Sequence, residues 1–125
     1  MKKNFVQFGR LAALMTVCLT ALSLSSRAQN NKSITGEVLD MNCYMAMDAH
    51  GEGHKSCAAK CVNGGSPMGL LTSDGKVYLL IEDHDKKQPY EDAKKHAGEQ
   101  VTVTGTVSEK DGIKGLVVSD VKGKS

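Results

Sequence analysis

The sequence predicts a mainly β protein with two short helices, its five strands closing into a small barrel. Three observations predict it. Apolar and polar residues alternate over short stretches, as in "SITGEVLD" and "QVTVTGTV", with the two-residue period of a strand that buries one face. Turn signals, "SDG" at 73–75 and "KDG" at 110–112, separate paired stretches. Glycines such as Gly36 and Gly105 stand inside those stretches, where a strand bending round a barrel wants no side chain.

Residues 1–28 precede the pattern and read as a cleaved export signal. Lys2, Lys3 and Arg10 are followed by the apolar run "LAALMTVCLTALSL", then by the small residues Ser26 and Ala28 before Gln29. The uncharged stretch from Leu11 to Ser26 is shorter than the roughly 20 residues that span a bilayer, so no stable membrane anchor is expected. Cys18 leaves with the signal. The mature chain is therefore expected to be periplasmic or secreted.

Cleavage removes Lys2, Lys3, Arg10 and Arg27 from 16 basic residues and none from 14 acidic ones, which turns the formal charge from +2 to −2. The remaining aromatics are Tyr44, Tyr78 and Tyr90. Without a basic excess or stacking platforms, nucleic acid is not an expected partner.

In order, Gln29 to Lys32 forms a flexible leader and residues 33–125 one domain. A strand runs from Ser33 and ends at Cys43, with Ile34, Gly36 and Val38 opposed to Thr35, Glu37 and Leu39. A short helix follows over about 54–62, stopped by Asn63, Gly64, Gly65 and Pro67. "MGLLT" and "KVYLLIE" form a hairpin. "QPYEDAKKHAGE" begins at Pro89, has Glu91 and Asp92 early and Lys94 and Lys95 late, and stops at Gly98, the sense a helix dipole favours. Two further strands flank "KDG".

Five strands with a helix between the third and fourth resemble a small OB-like Greek-key barrel. The competing architecture is an open, twisted antiparallel sheet with two helices on one face. Closure is preferred because a chain this short gains by removing sheet edges.

Three cysteines, two histidines and two methionines crowd into "CYMAMDAHGEGHKSCAAKC". An odd number of mature thiols is awkward for a purely structural disulfide framework in an oxidising compartment. His54, Cys57 and Cys61 fall at i, i+3 and i+7, one face of a helix, and Cys43 needs only the intervening loop to close over it. Three thiolates and an imidazole complete a tetrahedral set suited to zinc. Met41, Met45, Met47 and Met68 all lie near these cysteines in the chain, and soft thioethers beside thiolates suit Cu(I). Met45, Met47 and His50 are auxiliary candidates whose ordinary roles are loop or core. Asp40 could orient a ligand histidine from behind, or serve as a strand-end turn residue.

The Cys-x-x-x-Cys spacing is similar to that of the binuclear copper sites of oxidases, but these take a histidine four residues later, where this chain has Gly65. Cys-x-x-Cys of thioredoxin-like oxidoreductases is absent. A Cys57–Cys61 bridge within one helix is poorly placed, with Cα atoms about 6 Å apart and side chains parallel. A disulfide from Cys43 to Cys57 or Cys61 remains open.

The pattern of cysteine, Gly-x-x-His-x-x-Cys-Ala-x-x-Cys, Gly-x-Pro and Leu-Thr-x-Asp-Gly over residues 34–121 resembles a family of small exported bacterial proteins with an OB-like domain. The resemblance implies the fold and the coherence of the cysteine cluster, and no reaction. No Ser-His-Asp order, phosphate-cradling loop or metalloprotease helix occurs, so the reading leans away from an enzyme. The expected function is to hold one copper or zinc ion at Cys43, His54, Cys57 and Cys61 for sensing, buffering or delivery to a partner protein. The alternatives are thiol-disulfide exchange with a redox partner and a disulfide-stapled binding module without metal.

Overall fold

The structure is a computed structural model that describes residues 30–124. The export signal expected over 1–28, with Cys18, lies outside the described residues. The elements are β1 (Asn31–Asp40), α1 (Met41–Met47), a single 3₁₀ turn (Glu52–His54), α2 (Lys55–Asn63), β2 (Met68–Leu71), β3 (Val77–Ile81), α3 (Gln88–Lys94), β4 (Gln100–Lys110) and β5 (Ile113–Gly123).

The five strands close into a barrel in the order β1-β2-β3-β5-β4. Every pairing is antiparallel except β3 with β5. Parallel neighbours need a long crossover, and α3 with β4 supplies it. This is the OB-like arrangement that the strand order and the intervening helix predict, rather than the open sheet.

β1 does the work of two strands. Its first part, Asn31 to Glu37, pairs with β4, and its last part, Glu37 to Asp40, pairs with β2. The changeover falls at Glu37, next to Gly36, where a Cβ would collide with the Leu71 carbonyl. All of Gly36 to Asp40 is buried, so the alternating pattern gives way to a continuous one. Val38, Met68, Leu70, Leu80, Val101, Val103, Leu116 and Val118 form the core, and α2 adds Ala58 and Val62 to it. The start of α2 rests on Gly98, whose φ is +75° and whose Cβ would lie 2.6 Å from the Lys55 Cα. Only glycine fits both requirements.

Both boundaries of β1 differ from the sequence reading, and one helix is additional. β1 begins at Asn31, so Asn31 and Lys32, expected in the leader, pair with Thr106 and Gly105. β1 ends at Asp40 rather than Cys43, because the Asp40 side chain accepts a hydrogen bond from Asn42 N at 3.0 Å and caps a helix that starts at once. That helix, α1, brings the α-helices among the described residues to three. It stops after seven residues, at Asp48 in the left-handed conformation, and is too short to show a periodic pattern in sequence.

Candidate metal centre

The functional side chains come from four successive pieces of backbone, β1, α1, the 3₁₀ turn and α2. Asp40 is the last residue of β1, Cys43 lies in α1, His54 ends the 3₁₀ turn, and Cys57 and Cys61 are on α2. The segment between them is tied down. Glu37, itself buried, accepts a hydrogen bond from Gly51 N at 2.6 Å, and Met41 N donates to the Pro67 carbonyl at 3.0 Å. α1 is thereby fixed against both β1 and the loop that follows α2.

The ligand atoms form two overlapping groups. Cys43, His54 and Cys57 offer atoms that all lie within 4.8 Å of one another, and so do Asp40, Cys43 and Cys61. The four residues expected to surround one ion are thus divided, with Cys43 common to both groups and Cys61 standing with Asp40. Bonds of about 2.0–2.3 Å to sulfur and nitrogen could be made in either group by modest inward shifts of the side chains. The three cysteines are free thiols, Cys57 exposed and the other two half-buried.

The electrostatics follow from Asp40, which is 1 % exposed. Burial is the largest single influence on its carboxyl and pushes its pKa up. The Cys43 thiol, the Ser66 hydroxyl, the Asn42 backbone N–H and the Cys61 thiol, donors beside the carboxylate, together outweigh burial and hold it below the ordinary value. Only the Asn42 bond is complete in geometry. Oδ2 has no hydrogen-bond partner, so the thiols and Ser66 act on the charge without finishing that bond. Conversely, the Asp40 hydrogen bond, then burial and the carboxylate charge, push the Cys43 thiol up to about 12. Cys61 is raised by burial first and then by Asp40. A second buried atom, His54 Nε2, also has no partner.

The auxiliary candidates are placed elsewhere. His50 stacks edge-on against Tyr44, ring centres 5.9 Å apart, with its Nδ1 3.8 Å from Glu37, and belongs to neither group. Met45 and Met47 are exposed on α1, and Met68 is core. Met41 packs its thioether over Gly69. Glu37 is a positioning residue that the sequence reading missed; its one signal was a carboxylate in the strand segment Gly36 to Asp40. A cleft of about 600 Å³ lies on the flank of the 3₁₀ turn, lined among others by Glu37, Gly51, Lys55, His96 and Glu99, and none of the described cysteines lines it. No described helix is long and apolar enough to cross a membrane.

The fold and the site together define a small OB-like barrel carrying a cysteine-histidine cluster able to hold a metal ion. No family model, curated protein or solved structure matches the chain.

Proposed function

We propose that this is an exported metal-binding protein that holds a soft or borderline ion, copper or zinc, for sensing, buffering or delivery to a partner protein. The observation that carries the reading is His54 Nε2. It is buried without a hydrogen-bond partner, on a residue grouped with the thiols of Cys43 and Cys57. A buried imidazole nitrogen left unpaired is costly in an apolar protein, and a metal ion is the partner that thiolates and imidazole share. Cys61 and Asp40 extend the same cluster.

Metal content and free thiols, measured after anaerobic loading with Zn(II) or Cu(I) and removal of excess ion, test the proposal. Retention of at least one equivalent with loss of thiol reactivity is expected. Protein that retains no ion and keeps its thiols fully reactive overturns it. Competition between the two ions then distinguishes zinc from copper.

A second reading, thiol-disulfide exchange, is favoured by one observation. The sulfur of Cys43 lies within 4.8 Å of those of both Cys57 and Cys61, so either bridge needs only a small approach. A disulfide potential well below about −300 mV would mark a structural bridge, and a more oxidising one an exchanging pair.

A further inference from the structure

Asp40 is more than a helix cap. Capping occupies Oδ1 alone, through Asn42 N at 3.0 Å, and asparagine or serine caps a helix about as well as aspartate. The second oxygen is buried without a hydrogen-bond partner. Among the described residues no lysine, arginine or histidine forms an ion pair with Asp40. A buried carboxylate without a cation is costly, and the nearest groups able to share a cation with it are the sulfurs of Cys43 and Cys61, all three within 4.8 Å of one another.

An ion at Cys43, His54 and Cys57 leaves the Asp40 carboxylate and the Cys61 sulfur unused. Two thiolates there neutralise a divalent ion, while Asp40 keeps its charge and Cys61 has no ligand role. A second ion changes that balance: the three thiolates and the carboxylate carry four negative charges, matched by two divalent ions. Cys43 is the one residue common to both groups, and a thiolate sulfur has lone pairs for two metal ions.

We propose a second metal position at Asp40, Cys43 and Cys61, with the Cys43 sulfur bridging it to the first, so that the loaded protein holds a pair of ions. The proposal rests on the metal-binding reading of Cys43, His54 and Cys57. It identifies Asp40 as a ligand and fixes a stoichiometry of two. The site uses one residue from each of three elements, the end of β1, α1 and α2, so loading it joins the barrel wall to both covering helices.

The test is anaerobic titration with Zn(II) followed by native mass spectrometry and elemental analysis. Wild-type protein is expected to retain two equivalents, and Asp40→Asn and Cys61→Ser one each. X-ray absorption at the zinc edge should show a metal–metal vector of roughly 3.5–4 Å, as in other two-metal sites, that is lost in both variants. Asn at position 40 keeps the cap, and circular dichroism confirms its fold; Cys61→Ser leaves the cap untouched. One equivalent in the wild type, or two retained in both variants, overturns the second position while leaving the first. No retained zinc overturns the metal-binding reading for zinc, and this proposal with it.

Discussion

Leu70 and Asp40 are both buried, at 0 % and 1 % exposure, yet their surroundings differ in kind. Leu70, on β2, belongs to the apolar cluster that fills the barrel, and its environment is complete as folded. Asp40, at the end of β1, faces thiols and keeps one oxygen without a partner. Wall and cap are therefore stabilised by different means. The wall is held by closed strand pairing and apolar burial, the cap by tethers around a cluster whose polar valences stay open. Open valences inside a tethered frame suit a site that takes up something from outside.

The largest expected effect breaks the wall. Leu70→Ala should cost about 2–5 kcal/mol in metal-free urea unfolding, the usual cost of a cavity in a packed core; an unchanged midpoint would show that the barrel interior is not what holds the fold. Next, Cys43→Ser should do the reverse. It removes the shared sulfur, so zinc affinity measured against a competing chelator should fall more than about 100-fold, beyond the effect of losing a group that merely orients a ligand. Metal-free stability should change by less than about 1 kcal/mol.

A smaller effect tests the capping role of Asp40. Asp40→Ala should be less stable than Asp40→Asn by about 1 kcal/mol in metal-free thermal melts, because only Asn keeps the cap on α1. Equal melting temperatures would mean that the cap does not hold α1.

The smallest effect concerns the tie between α2 and the segment before β4. The Lys55 ammonium, 2.8 Å away, and His96 hold the Glu99 carboxyl below its ordinary 4.5. With the folded pKa below the unfolded one, the contribution is present above pH 4.5 and is lost as pH falls through the folded value. Glu99 is about a third exposed, so the contribution is modest and weakens with salt. Glu99→Gln should lower the melting temperature slightly at pH 6, and the gap should close toward pH 3.

The barrel was legible because its signals are local and repeated. Alternation in "QVTVTGTV" and the Asp-Gly turns required no knowledge of distant contacts. At Lys110 to Ile113 the chain turns through Asp111 and Gly112, both with positive φ, the turn that such a pair favours between antiparallel strands. The helix carrying Cys57 and Cys61 was likewise legible, from its stop signals and spacing.

What the sequence did not reveal depended on long-range pairing. Nothing within "VLDMNC" shows that β1 pairs with β2 only as far as Asp40, opposite Met68, three residues before the cysteine. Helix spacing correctly places Cys57 and Cys61 on one side of α2, but it cannot say that Cys43 will meet both while His54 is grouped with Cys57 and Asp40 with Cys61. That division is set by where α1 enters, and α1 is set by the Asp40 cap.

The tether from Glu37 to Gly51 has a further consequence. Residues 40–51 leave β1 and return to it, fastened at one end by the Asp40 cap and at the other by the 2.6 Å bond to Gly51 N. The entropy lost in closing that loop, which grows with its length, belongs to folding and not to ligand capture. Zinc fingers, by contrast, close their loops only as the metal arrives and unfold when it leaves. A chain that closes its own loop needs no ligand to bring the backbone of the cysteine cluster together.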